Sequence, residues 1–198
     1  MSVQTLAAGF QDNVLESQSV FRAAMDAMAR PGRVVPLVCA LAPPAPLNAE
    51  AAALVLALCD YETPLWLDAR LAAEPAVAEF LRFHTGAAIV AEPMAARFAL
   101  VAEPLEMPEF SAFAPGTPDY PDASVTLILQ VSGFAGAGWA LQGPGIKGET
   151  RFGAAPLPHD FTARMAANRA LFPLGVDLLL AGAGGVVGLP RSVTVREG

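Results

Sequence analysis

The segment Ser124–Val131 (SVTLILQV) constrains the fold more than any other part of this chain. Its run of Val, Leu and Ile is nearly unbroken, whereas a strand with one wet face alternates apolar and polar residues. Such a strand belongs in the middle of a sheet, covered on both sides. Val176–Ala181 is a second apolar strand, and helical patterns fall between the strands. The reading is α/β: one mixed domain spanning residues 1–198, with a core large enough to need no metal or disulfide staple.

The other elements follow from spacing and punctuation. After a short irregular start, Ser19–Ala29 reads as a helix with Phe21, Met25 and Met28 at helical intervals, stopped by Pro31-Gly32. Arg33–Val38 is a short strand whose Pro36 suits an edge, and Ala42–Pro46 is a turn. Asn48 caps a helix from Ala49 to about Cys59 that is apolar nearly all round and therefore buried. Thr63–Leu67 is a strand, Glu74–Phe83 a helix ended by Gly86, and Ala88–Val90 and Arg97–Val101 are strands. A partly helical patch at Met107–Phe113 precedes the central strand, and Gly133–Gly138 is a flexible loop after it. Trp139–Gln142 and Glu149–Phe152 are strands, Phe161–Leu171 a helix, and Val186–Leu189 with Ser192–Val195 a final pair of strands.

Composition excludes several functions. The chain is 54% apolar and carries a formal charge of −7, with eleven arginines and one lysine, Lys147, as its basic residues. No Lys/Arg cluster exists to neutralise phosphates, so nucleic acid is not the expected partner. The apolar excess implies surface reserved for another chain. Cys39 and Cys59 lie in apolar runs and read as free thiols in a reducing cytosol. The first residues, MSVQTLAAGFQDNVLESQ, lack the basic stretch of a secretory leader, and no apolar run reaches the roughly 18 residues of a membrane span. A cytoplasmic protein is expected.

Catalytic motifs are scarce. His84 and His159 are far apart, and neither a metal-ligand spacing nor enough cysteines for a cluster is present, so no metal is expected. Gly143-Pro-Gly145-Ile-Lys-Gly148 matches the dinucleotide fingerprint in letters. It leads into Glu149-Thr-Arg-Phe, a strand, where phosphate binding needs a helix N-terminus. Lys147 on that loop is the sole lysine for a pyridoxal Schiff base and is poorly placed for one, so no pyridoxal phosphate is expected either.

Three polar clusters interrupt apolar surroundings. Arg82, His84 and Thr85 close a helix, where cations also suit the helix dipole. Asn168, Arg169 and Asp177 join a helix to an apolar strand, and Arg191 sits in a turn. An acid at a core strand is costly unless paired, so Asp177 with Arg191 or Arg169 could form an internal ion pair. The same arginines could instead hold an anion. Both readings are open at this level.

These segments also carry a family resemblance. In order they are Phe21-Arg22 with Met25 and Met28 before Pro31-Gly32, Thr63-Pro-Leu-Trp66, Arg82-Phe-His-Thr-Gly86 and Gly116-Thr117. Then come Thr126–Gln130, Leu141-Gln-Gly-Pro-Gly-Ile146, Asn168-Arg169 with Phe172–Asp177, and Leu189-Pro-Arg191. The ordered set resembles the PhnH family, a component of the bacterial phosphonate carbon–phosphorus lyase complex, over nearly the whole chain. One departure is Ser192-Val193, where that family often has two threonines.

The resemblance implies a three-layer α/β/α fold with a mixed sheet, similar to the large domain of pyridoxal-phosphate-dependent transferases but without the cofactor. It implies a role in phosphonate breakdown beside the G, I, J and L components of that complex; the apolar excess itself points to a homodimer when isolated. The step implied is transfer of a phosphonate to the ribose C1 of ATP with release of adenine. No nucleophile or general base in a defined constellation accompanies it. The expectation is a non-catalytic subunit, and the alternative is a phosphate-, phosphonate- or nucleotide-binding or catalytic subunit of the same complex.

Overall fold

The computed structural model describes residues 7–134 and 138–198. Residues 1–6 of the irregular start and 135–137 of the Gly133–Gly138 loop lie outside the described residues.

Helix α1 spans Asn13–Ala29 and is longer than the sequence pattern implies. Asp12 caps it by accepting from the Val14 and Leu15 amides, while the Glu16 carboxylate accepts from the Gln11 and Asp12 amides. The face against the sheet is small: Val20, Ala24 and Ala27 are buried, whereas Phe21 and Met25 point outward, 47% and 55% exposed. Strand β1 is only Val35–Pro36, and the edge position suits its proline. Helix α2, Ala49–Leu58, begins as expected, with the Asn48 side chain accepting from the Ala51 amide. Strand β2, Leu65–Leu67, leads into a helix the sequence pattern did not reveal, α3 (Ala69–Ala72). Helix α4, Pro75–Thr85, ends on Gly86 in the left-handed conformation that glycine adopts without strain.

Strands β3 (Ile89–Val90) and β4 (Phe98–Val101) follow, with 3-10 turns at Pro104–Glu106 and Phe110–Ala112 in the patch expected to be partly helical. The central strand β5 is Thr126–Gln130. Strands β6 (Trp139–Gln142) and β7 (Thr150–Phe152) flank the glycine-rich loop, so that loop joins two strands and meets no helix. Helix α5 is Phe161–Ala170, and β8 (Asp177–Gly182), β9 (Gly185–Leu189) and β10 (Thr194–Glu197) complete the chain.

The main sheet has seven strands in the order β1-β9-β8-β5-β4-β2-β3, parallel from β3 to β8 and antiparallel beyond. Alternation sorts its side chains. Leu65, Leu67, Leu100, Ile128 and Leu179 point to the face covered by α1 to α4. Trp66, Val101, Leu127, Leu129, Leu178 and Leu180 point to the other. That second face is covered by α5, the 3-10 turns and a small antiparallel sheet in the order β10-β6-β7. The final two strands are therefore not a pair. β9 lies between β8 and β1, while β10 pairs with β6 in the second sheet, because the chain turns away at Pro190-Arg191. α1 lies so close to β9 that a Cβ on Gly188 would sit 2.6 Å from the Ala27 carbonyl oxygen.

The chain leaves β2 toward α3 and α4 on one face, and leaves β4 toward the 3-10 turns on the other. Open α/β sheets bind ligands at such a switch point, beyond the strand C-termini. Here the buried Asp68 ties the two strand ends together, accepting from the Leu71 amide at 2.9 Å and from the Ala102 and Glu103 amides at 2.8 and 2.9 Å. The neighbouring cleft is lined by Glu74, Glu103 and Glu106 against one cation, Arg70, which disfavours a phosphate. No helix among the described residues is long and apolar enough to cross a membrane.

Asp68→Ala strands three amides and removes the α3 cap. Chemical denaturation should show a loss of about 2–4 kcal/mol, with an unchanged far-ultraviolet spectrum before the transition.

Candidate functional site

Asp177 opens β8 and Arg191 lies in the turn after β9, at the edge of the sheet where the parallel strands begin. The Arg191 amide donates to Asp177 Oδ1 at 2.8 Å and its Nε donates to the same oxygen at 3.1 Å. Nη2 donates to Asp177 Oδ2 and to Ser124 Oγ, and Nη1 donates to the Pro121 carbonyl at 2.7 Å and to the Pro173 carbonyl at 3.4 Å. Every N–H of the guanidinium is used within the chain. Both side chains are largely buried, 12% and 17% exposed. Of the two readings left open by the sequence, the internal ion pair is the one formed. It clamps the turn after β9, the loop before β5 and the start of β8 together.

Asn168 belongs to the same region. Its amide group donates to the Val176 carbonyl and accepts from the Val176 amide, both at 2.8 Å, so it acts as a strand partner for the residue before Asp177. Arg169, next to it, lies 4.9 Å from the centre of the Phe172 ring and takes no part in the Arg191 cluster.

Arg82, His84 and Thr85 are elsewhere: α4 covers one face of the main sheet and α5 the other. The Thr85 hydroxyl donates to the Leu81 carbonyl at 2.7 Å and accepts from the Ala87 amide at 3.0 Å, finishing the helix. His84 Nε2 is 3.0 Å from the Ala7 carbonyl oxygen, and its ring makes edge contacts with Phe80 and Phe83. A Cβ on Gly9 would be 2.6 Å from the His84 Nδ1, so the segment before α1 lies directly on this ring. Arg82 is exposed and makes no hydrogen bond or ion pair among the described residues. The seven expected residues thus separate into a clamp, a clip, a latch and two surface arginines.

Two residues that organise the structure escaped the sequence pattern. Asp68 carried a signal, since an acid just before Ala-Arg-Leu-Ala suits a helix cap. Arg164 is held by Asp160 at 2.8 Å, Glu109 at 2.9 Å and the Met107 and Pro108 carbonyls. Only the Asp160–Arg164 spacing on one helix hinted at it. The Arg164 hydrogen bond holds the exposed Asp160 carboxyl below the usual carboxylate range. Lys147 is exposed on the β6–β7 loop. Among the described residues no three His, Cys, Asp or Glu are grouped to hold a metal ion. Burial pushes the Cys59 thiol up to about 12, and raises Cys39 as well.

A model of the bacterial phosphonate metabolism protein family (PhnH) matches residues 8–196. The chain is also similar to the alpha-D-ribose 1-methylphosphonate 5-triphosphate synthase subunit PhnH of Rhizobium meliloti strain 1021. Identity is 42% over 195 residues, 98% of this chain and 97% of that protein.

Three outcomes follow from this geometry. Arg191→Lys cannot reproduce the fork, and Arg191→Ala leaves Asp177 unpaired, so denaturation should show losses of about 1–2 and about 3 kcal/mol. Arg82→Ala should leave stability unchanged within about 0.5 kcal/mol. Thiol labelling of the folded chain near pH 8 should modify Cys39 well before Cys59, whose thiolate is scarce and inaccessible. Both should react once the chain is unfolded.

Proposed function

This chain belongs to the PhnH family of bacterial phosphonate metabolism proteins, and on that premise we propose that it is a non-catalytic interaction subunit of the carbon–phosphorus lyase assembly. In this reading the assembly transfers a phosphonate to the ribose C1 of ATP, releasing adenine. This chain supports the step beside the G, I, J and L components in the cytoplasm, without pyridoxal phosphate or metal. The isolated chain pairs with a second copy. The proposed kinship with the large domain of pyridoxal-phosphate-dependent transferases rests on the sequence resemblance.

The observation that carries this reading is the occupied state of Arg191. Binding a phosphate or phosphonate requires donors free to reach its oxygens. The best-positioned arginine has spent all of its donors on Asp177, Ser124 and two carbonyls. At the crevice where an α/β sheet would take a nucleotide, Asp68 occupies the Ala102 and Glu103 amides, and Glu74, Glu103 and Glu106 line the cleft. What the surface does offer is apolar: Phe21 and Met25 on α1, Phe83 at 70% exposure and Val38 at 95%. Such residues fit contact with other chains.

Deleting the gene should abolish growth on methylphosphonate as the sole phosphorus source, and the tagged chain, expressed in its own host, should purify with other subunits of the assembly. Sedimentation of the isolated chain at micromolar concentration should give the mass of a dimer. Undiminished growth, or a chain that purifies alone from phosphonate-grown cells, contradicts the proposal.

A further inference from the structure

Between α5 and the Phe110–Ala112 turn lies a pocket of about 370 Å³, within the roughly 300–1,000 Å³ range of binding sites. Phe110, Phe113, Ala167, Leu171 and Val176 supply much of its apolar lining. Its two polar residues from α5 are already committed, while Glu109 and Ser111 sit at its exposed edge. The Asn168 amide group is bound to Val176 on both sides. Arg164 also lines the pocket, and each edge of its guanidinium is taken. Nε donates to Asp160, Nη2 to Glu109 at 2.9 Å, and Nη1 to the Met107 and Pro108 carbonyls at 3.3 and 3.1 Å.

A guanidinium with its edges spent can still offer its face. That face suits a planar aromatic ring and cannot grip a phosphate or a sugar hydroxyl. The rim separates the two sources of such a ring. Met94 is 58% exposed, Leu171 50% and the nearby Phe172 53%. A free small molecule in the pocket leaves these side chains in water, whereas a protein surface around an inserted ring covers them. Charge narrows the partner further. Glu109 and Asp160 present carboxylates, 58% and 51% exposed, to the single cation Arg164. Of the other basic residues nearby, Arg169 is on the Phe172 ring and His159 directly precedes Asp160.

We infer that this pocket is a socket for an aromatic side chain of a partner subunit, with a lysine or arginine beside it facing Glu109 and Asp160. The inference rests on the interaction-subunit reading and names its surface. The buried ring is the anchor, and Met94, Leu171 and Phe172 exclude water around it.

Ala167 is solvent-exposed at the pocket wall, so Ala167→Trp fills the socket without disturbing the core. Leu171→Asp places a charge on the exposed rim. Each full-length variant is co-expressed with the other subunits, and its affinity for the assembly is measured beside its melting temperature. Both should bind about tenfold or more weakly than wild type while melting at the same temperature. Wild-type affinity in both variants overturns the socket and leaves the interaction-subunit reading intact. A wild-type chain that fails to associate overturns both. Should Ala167→Trp melt early, Leu171→Asp decides. The isolated chain is also titrated with ATP: specific perturbation of Ala167 and Gly175 amide signals, lost in Ala167→Trp, would identify a nucleobase site and overturn the inference.

Discussion

Burial of both faces of β4, β5 and β8 is the constraint on which the rest of the structure depends. Leu127, Leu129, Leu178 and Leu180 on one side, with Leu100, Ile128 and Leu179 on the other, need two separate covers. Each large aliphatic side chain fully buried contributes about 1.5–3 kcal/mol, so leaving either face open would cost an amount comparable to a domain's net stability. The two covers differ in kind. One is four helices, brought close by Ala24, Ala27 and Gly188, and the other combines α5 with the small sheet. Alanine in α1 and α2 is therefore what lets a helical layer sit close to the sheet, and much of the apolar composition is explained by it.

The polar residues that remain are used to hold strand ends and connections. Asp68 ties β2 to the end of β4, Arg191 and Asp177 tie the start of β8 to the loop before β5, and Asn168 fixes the approach to β8. A buried group that serves as a cross-link cannot also serve as a ligand without breaking the link. Removing one partner from such a pair leaves a desolvated charge behind. This trade takes Arg191, the most buried of the candidate arginines, out of use as an anion donor.

What was legible in the sequence is what local rules decide. The central strand β5 announced itself by its continuous apolar run, Asn48 and Gly86 marked helix ends, and the segment Glu149-Thr-Arg-Phe after the glycine-rich loop read as a strand rather than a helix. Long-range pairing was not legible. β10 follows β9 in sequence yet joins β6, because a turn held by Arg191 sends it to another sheet. The inward face of α1 was also hidden, since Phe21 and Met25 have helical spacing and face solvent, while smaller residues pack inward. Whether Arg191 met Asp177 or an anion depended on two segments 14 residues apart in sequence converging at a sheet edge, which no local pattern encodes.

The central claim is that this chain contributes contacts and no chemistry. The most direct test is the rate of adenine release by the assembly rebuilt from purified subunits, with this chain carrying Arg82→Ala, His84→Gln and Arg169→Ala together. The account predicts that the assembled complex works at the wild-type rate. A folded, fully assembled complex slowed about a hundredfold or more, the usual cost of losing a group that acts in the transition state, would contradict it.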